Sequence, residues 1–244
     1  MKVLGIDVGG TGIKGAPVDA GTGKLLAERF RVDTPKPATP RAIAQSIQKL
    51  ILHFAWKGPI GITLPAVVQK GVVCSAANID RGWIGLDAEQ FLGKLLKQPV
   101  VVLNDADAAG LAEATFGAGK GVKGLVMLVT LGTGIGSALV FDGKLIPNSE
   151  LGHLIIRGKD AEHRASNRVR EERDLSWKKW SKRVGEYLVS IENLLWPELI
   201  VIGGGVSKEA KKFLPRIDTR TKLVAAKLLN EAGIIGAALK ASGR

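Results

Sequence analysis

Cysteine is nearly absent from this chain: Cys74 is the only one among 244 residues. That excludes an internal disulfide and a thiolate metal cluster, and a lone cysteine is most often a small buried apolar residue, so no role is expected for it. No apolar run approaches the roughly 20 residues needed to span a bilayer. The opening apolar stretch is interrupted at Asp7, too early for a signal peptide. The expectation is therefore a cytoplasmic protein with no membrane partner. Low-complexity tracts are also missing, and with 45% hydrophobic and 24% charged residues the composition is that of a chain that folds throughout. Finally, there is no Gly-x-x-x-x-Gly-Lys-Ser/Thr, which rules out a P-loop nucleotide site.

What the chain has in excess is positive charge, +12 from 35 basic and 23 acidic residues. Its distribution is uneven. Residues 157–183 carry ten basic and five acidic side chains, a net +5, and residues 206–244 carry nine and three, a net +6, which leaves +1 for the other 178. A cationic second half suits a polyanionic partner, whether nucleic acid, polyphosphate or an anionic surface. A solvated Lys/Arg face that only aids solubility is an equally good account.

The length fits two α/β lobes, taken as residues 1–115 and 116–244, with the last helix able to cross back to the first lobe. Lys2 to Val8 and Ile13 to Val18 read as a hairpin around a glycine turn, with a third strand over residues 25–32. A helix follows with Ile43, Ile47, Leu50, Ile51 and Phe54 on one face. Strands are expected at 59–63 and 100–103, with a short helix at 87–96 between them and another helix from Asp105 to about Phe116. The hairpin pattern then returns at 125–131 and 137–141. Trp177, Trp180, Val184, Leu188, Ile191 and Leu195 mark the buried face of a long helix that Pro197 must end. Leu199 to Ile202 is a buried strand, Gly203 to Gly205 a tight turn, Ser207 a candidate cap for the next helix, and Ile234 to Leu239 part of the last helix.

Two turns carry the chemistry. Asp7-Val-Gly9-Gly10-Thr11-Gly12 and Leu131-Gly132-Thr133-Gly134-Ile-Gly136 open the two halves at equivalent places. Glycine permits positive φ and lacks the Cβ that would keep a ligand away from the backbone, so exposed amides can converge on phosphate oxygens. Either turn alone is more often an ordinary hairpin turn; the matched pair is the stronger signal. Asn104-Asp105 stands before a helix, where such a pair is usually a cap. Asp105 also suits a catalytic base that takes a proton and orients an attacking oxygen, and the two roles are compatible.

The ordered set Asp7-x-Gly-Gly-Thr11, Leu103-Asn104-Asp105-Ala106, Leu131-Gly-Thr-Gly-x-Gly136, Glu150-Leu-Gly-His153 and Ile202-Gly-Gly-Gly-Val206 resembles the ROK family of sugar kinases along essentially the whole chain. The stretch from Glu150 through Ser166 looks most like its polyphosphate-using branch, the polyphosphate glucokinases and polyphosphate/ATP glucomannokinases. Many ROK proteins carry a zinc-binding cysteine cluster shortly after the Gly-His pair. This chain has no cysteine there, so the resemblance implies no zinc site and frees His153 from a ligand's role.

The resemblance implies a two-lobed actin-like ATPase (ribonuclease H-like) fold, each lobe a mixed sheet with flanking helices, with the sugar between lobes that close on it. It implies transfer of a phosphoryl group from polyphosphate, ATP or both to the 6-hydroxyl of glucose, with mannose as an alternative acceptor, in a homodimer. Asp105 becomes the base, with Asn104 beside it on the sugar. Glu150, His153 and Glu162 match positions that bind the other end of the sugar. Asn78 matches a sugar-contacting asparagine, although a turn residue is as good a reading. Asp7 resembles the residue that meets nucleotide-bound magnesium through water in actin-type kinases. Thr11 and Thr133 add hydroxyl donors to Gly9, Gly10, Gly132 and Gly134; Lys14 could reach the same anion, though an outward strand lysine is the plainer reading. Gly203, Gly204 and Gly205 match a turn against which adenine packs.

A polyphosphate track would draw on Arg164, Arg168, Lys178 and Lys182, with Arg170, Lys179 and Arg183 nearby. His53 and His163 receive no assignment. Three alternatives stand beside this reading: an ATP-only hexose kinase, a nucleic-acid-binding regulator and a catalytically dead sugar sensor. ROK repressors carry an added N-terminal helix-turn-helix, whereas here the kinase pattern starts at Lys2, so no nucleic-acid partner is expected.

Overall fold

The computed structural model describes residues 1–77 and 79–243. The chain forms two compact units, residues 1–112 with 231–244, and residues 113–230. Among the described residues no helix is long and apolar enough to cross a membrane.

The first unit is built on a six-stranded sheet. Strands β1 (Lys2–Val8) and β2 (Gly12–Asp19) form the antiparallel hairpin, and β3 (Lys24–Leu25) and β4 (Phe30–Asp33) both pair with β2. The expected third strand is thus two short ones. The gap between their ladders falls at Ala16-Pro17, where proline has no N–H to give a neighbouring strand. Helix α1 (Pro40–His53) is capped by the Thr39 hydroxyl, which accepts from Ala42 N, and has proline at its first turn; that position needs no N–H. Strand β5 (Ile60–Leu64) pairs parallel with β1, a small hairpin of β6 (Val68–Gln69) and β7 (Val72–Val73) follows, and helix α2 (Ala88–Leu96) leads to β8 (Val100–Asn104), parallel to β5. Helix α3 (Asp105–Thr115) starts directly from β8.

Core residues of this unit come from the sheet and from α1: Leu4, Ile6, Ile43, Ile47, Leu50, Ile60 and Ile62 are all fully buried. The C-terminal helix Ala232–Ala241 lies on the other side of the strands at backbone contact distance. A Cβ on Gly5 would overlap the Ile234 carbonyl, one on Gly61 the Ala237 carbonyl, and one on Gly236 the Ala108 carbonyl. These three glycines are there for close approach, not for turning. Cys74 is exposed, contrary to the expectation of burial. It follows the β6–β7 hairpin, where no core forms around it.

The second unit repeats the plan. Strands β9 (Leu125–Leu131) and β10 (Ile135–Phe141) form the second hairpin, β11 (Lys144–Ile146) extends it, and a two-stranded hairpin of β12 (Ile155–Ile156) and β13 (Lys159–Asp160) stands apart. Two short helices, α4 (Glu162–Ala165) and α5 (Asn167–Glu172), lead into the long α6 (Trp177–Leu195). Strand β14 (Leu199–Gly203) pairs parallel with β9, α7 (Ala210–Phe213) follows, and β15 (Lys222–Ala225) closes the sheet in the order β11-β10-β9-β14-β15.

The face of α6 bearing Trp180, Val184, Leu188 and Ile191 is fully buried, as its spacing predicts. Trp180 donates its indole N–H to the Ala165 carbonyl at 3.0 Å. Trp177 is only half-buried: it meets Trp180 edge-on, stacks on Phe213, and carries the Arg170 guanidinium 4.3 Å from its ring centre. Ser207 does not cap a helix. It lies inside a 3-10 stretch, Gly205–Glu209, and its hydroxyl donates back to Gly204 O.

Candidate active site

In the first unit the β1–β2 register sets Asp7 opposite Lys14, and the parallel β1–β5 register sets it beside Thr63. Thr63 Oγ1 donates to Asp7 Oδ1 at 2.9 Å and accepts from Val8 N at 3.3 Å. Burial pushes the Asp7 carboxyl above its ordinary range, against the opposing pull of the Thr63 bond and of Lys14 and Arg29. Sequence reasoning missed Thr63. Its signal is a hydroxyl in the otherwise apolar strand Ile60–Leu64.

The turn beyond Asp7 closes on itself through Gly9 N to Gly12 O, 3.1 Å. Thr34 Oγ1 donates to Gly9 O at 2.5 Å, and Arg31 Nη2 to Thr11 O at 2.9 Å. The amides left for a ligand are those at the tip, Gly10 and Thr11, both exposed. None of Gly9, Gly10, Gly12, Gly132 or Gly134 has φ in the left-handed region, so positive φ is not why the two turns contain glycine. Crowding is the reason at Gly12, where a Cβ would lie 2.5 Å from Arg31 Nε, whereas Gly10 and Gly132 face open space.

Asn104 and Asp105 stand at the junction of β8 and α3. Asn104 is buried; its Nδ2 donates to Ala66 O at 3.2 Å and its Oδ1 accepts from Asp107 N at 3.0 Å, which makes it the helix cap. That leaves it tied to the frame. Half-buried Asp105 accepts from Ala106 N at 2.8 Å through Oδ1. It is the first residue of the helix, where a carboxylate is favoured by the exposed amides and the dipole. Asn78 lies outside the described residues.

In the second unit three segments converge on one turn. Gly132 N donates to Gly134 O at 3.0 Å, Arg168 N donates to Gly132 O at 3.1 Å, and Ile135 N donates to Glu162 Oε2 at 3.3 Å. Glu162 fills the space where a Cβ on Gly134 would sit, so Gly134 admits a carboxylate of the chain itself. Thr133 is exposed at the tip. The turn after β14 adjoins: Gly203 is in register with Thr130, and Gly204, at φ +82°, lies so close to Leu131 that a Cβ would stand 2.5 Å from its carbonyl oxygen. Gly205 faces open space.

Beside the same turn lie the motif residues Glu150 and His153. Leu151 N donates to Ser137 Oγ at 3.0 Å, and a Cβ on Gly152 would overlap the Ile135 carbonyl, so the segment is pinned along β10. His153 Nε2 is 3.8 Å from Glu150 Oε2, and its Nδ1 is 2.8 Å from Asp160 Oδ2. Burial raises the Glu150 carboxyl, with His153 opposing and Glu162 reinforcing. Asp160 lies within the 150–166 stretch but received no role from sequence; an acid seven positions after the histidine, across a short hairpin, is the signal for one. Among the described residues no group of three or more His, Cys, Asp or Glu is arranged to hold a metal ion. His163 Nε2 lies 3.7 Å from Glu162 Oε1, and His53 stacks on Phe30 at 3.8 Å in the first unit.

The basic residues divide. Arg164 Nη2 is bound to Glu186 Oε2 at 2.7 Å, and Arg157 shares the same carboxylate. Arg168, next to the glycine turn, is 3.9 Å from Glu172 and half-exposed. Arg170 bonds to Asn167 and Glu171 besides covering Trp177. Arg183 donates to Arg164 O at 3.4 Å. Lys178, Lys179 and Lys182 are exposed along α6, with Lys178 and Lys182 four residues apart on one face.

Comparison with known proteins fits this arrangement. The chain is 52% identical to a polyphosphate glucokinase from Mycobacterium tuberculosis over 237 residues, which is 97% of this chain and 89% of that one. Its structure superposes on that of an inorganic polyphosphate/ATP-glucomannokinase from Arthrobacter sp. strain KM with a TM-score of 0.94 and 52% identity, covering 99% and 98% of the two chains. A ROK family glucokinase from Streptomyces griseus in complex with glucose and AMPPNP gives a TM-score of 0.84 at 25% identity over the whole of both chains. The fold is that of these kinases, the two-lobed actin-like ATPase fold. The ROK family profile matches residues 3–165, and the chain belongs to the ROK family.

Proposed function

We propose that this chain is a polyphosphate-dependent glucose kinase that also accepts ATP. It transfers the terminal phosphoryl group to the 6-hydroxyl of glucose, with mannose as a second acceptor. The observation that carries this reading is the 52% identity, along 97% of the chain, to a polyphosphate glucokinase. The polyphosphate/ATP-glucomannokinase of equal identity supports the second donor and the second sugar.

Phosphoryl transfer asks little covalent chemistry of a protein and much positioning. Asp105, held at the start of α3 by Ala106 N, takes the proton of the 6-hydroxyl as that oxygen attacks. Asn104 holds the strand-to-helix junction that aims it. Glu150, His153 and Glu162 bind the hydroxyls at the far end of the sugar, where charged partners give strong, directional bonds. The tip amides and hydroxyls of Thr11 and Thr133 take the donor's phosphate oxygens, with Lys14 beside the first turn, and Gly203 to Gly205 form the floor for adenine when ATP is the donor. Residues 1–112 with the last helix carry the base and the first phosphate turn, and residues 113–230 carry the second phosphate turn, the adenine floor and the contacts to the far end of the sugar.

Magnesium fits the first turn. Asp7 is a carboxylate whose burial disfavours its charge, a situation that a nearby cation relieves. Asp7 would hold the ion through water, and the ion would neutralise charge on the transferring phosphate. By resemblance to the family, the working form is a cytoplasmic homodimer.

The test is glucose 6-phosphate formation with magnesium and polyphosphate, ATP or no donor. Turnover with polyphosphate is expected. Turnover with ATP alone would leave an ATP-only hexose kinase, and no turnover with either donor would favour a sugar sensor.

A further inference from the structure

His153 is held by an acid outside the motif that identifies it. The β12–β13 hairpin pairs Ile155 with Asp160 and folds Asp160 back over the 3-10 turn Leu151–His153. There Asp160 Oδ2 lies 2.8 Å from His153 Nδ1. The other ring nitrogen, Nε2, is 3.8 Å from Glu150 Oε2, beyond hydrogen-bond reach. A hydroxyl suits that gap, because it can accept from Nε2–H while donating to the carboxylate. Such an arrangement requires hydrogen on both ring nitrogens, and an anionic acceptor at Nδ1 favours that form.

We propose that Asp160 is a positioning residue for the sugar. By accepting from His153 Nδ1–H it fixes the ring and keeps the imidazolium that presents Nε2–H, beside Glu150, to one hydroxyl. The inference rests on the sugar-kinase reading above and assigns a role to a residue outside that site's motif.

The charged groups around the ring agree in sign. Asp160 reaches it from β13, Glu150 from the segment preceding the turn and Glu162 from α4. The Asp160 hydrogen bond and these three charges hold His153 above its ordinary pKa, against a lowering by partial burial. His153 in turn holds the Asp160 carboxyl below its usual range, with His163 adding to the effect. Because the imidazolium persists to higher pH than in a free histidine, glucose binding weakens as pH rises through that raised value.

The test uses Asp160→Asn, which keeps an acceptor and removes the charge, and Asp160→Ala, which removes both. Two quantities are read: the NMR titration of the His153 ring, and KM for glucose and for polyphosphate across pH. In Asp160→Asn the His153 pKa should fall, and the alkaline limb of kcat/KM for glucose should move down with it. In Asp160→Ala the glucose KM should rise roughly tenfold while the polyphosphate KM stays within about twofold. An unmoved His153 titration in Asp160→Asn, or an equal rise in both KM values in Asp160→Ala, overturns the proposal. A wild-type chain that fails to phosphorylate glucose overturns the functional reading and the sugar role together, while the titration still decides whether Asp160 controls the ring.

Discussion

At the scale of single residues, several side chains fixed by their neighbours have jobs that their sequence context leaves open. Asp7 shows the conflict between stability and function. Its carboxyl is raised by burial, so the native state binds this proton more readily than the unfolded chain. Between the ordinary and the raised pKa, stability therefore falls as pH rises, and above that window the cost of the buried charge is fully present. Asp7→Asn should raise Tm at pH 7 by roughly 2–4 °C, the shift that about 1 kcal/mol gives in a chain of this size, while abolishing magnesium-dependent turnover. Calorimetry and the kinase assay read the two effects separately. A fall in Tm would mean that Thr63 and the nearby cations more than offset the burial.

The glycine turns separate the two expected reasons for glycine, positive φ and the missing Cβ, of which only the first fails. Their pairing was legible because the same glycine pattern recurs at equivalent places, and both do close β-hairpins. The expected need for positive φ is not met at any of these five positions. Gly134 is small because Glu162 enters the turn, a contact between residues 28 apart that no local pattern encodes. Thr63 was missed, and Asp160 received no role, for a similar reason: each is defined by what lies across a strand pairing.

At the scale of elements, the long helix α6 was readable from apolar spacing alone, because its buried face is continuous. The third strand was not, because Pro17 divides the ladder that would have held it. The C-terminal helix was expected to be able to cross back to the first lobe, but the contacts that seat it on the strands were not legible, since they depend on glycines in distant strands. Gly5 and Gly61 face the helix backbone with no room for a methyl group, and overpacking of this kind costs typically 1–3 kcal/mol or more. Gly61→Ala should therefore lower Tm by at least about 2 °C. Gly121→Ala is the contrasting case: space at Gly121 is open, and its φ of +80° alone disfavours alanine. Equal losses in the two variants would contradict the close packing of the helix on the sheet.

At the scale of the whole molecule, the charge is the dominant feature, and the structure reduces the number of cations available to a donor. Arg164 is engaged with Glu186, whereas Lys178 and Lys182 are exposed on one face of α6. Replacing both lysines with alanine should raise the KM for polyphosphate about tenfold at low ionic strength, less at high salt, with the ATP KM unchanged. Equal effects on both donors would place these lysines at a shared phosphate site. Arg164→Ala is expected to act chiefly on stability, through the loss of its bond to Glu186.

Asp105 is the proposed base for a sugar hydroxyl. The most direct measurement is kcat with glucose and polyphosphate for Asp105→Asn beside the wild type, with glucose affinity taken by calorimetry. Asparagine can still accept from Ala106 N, so the helix start is preserved. A fall in kcat of at least about 100-fold with glucose affinity nearly unchanged is the predicted result, in line with the usual contribution of a general base. A kcat within about twofold of the wild type would contradict the account.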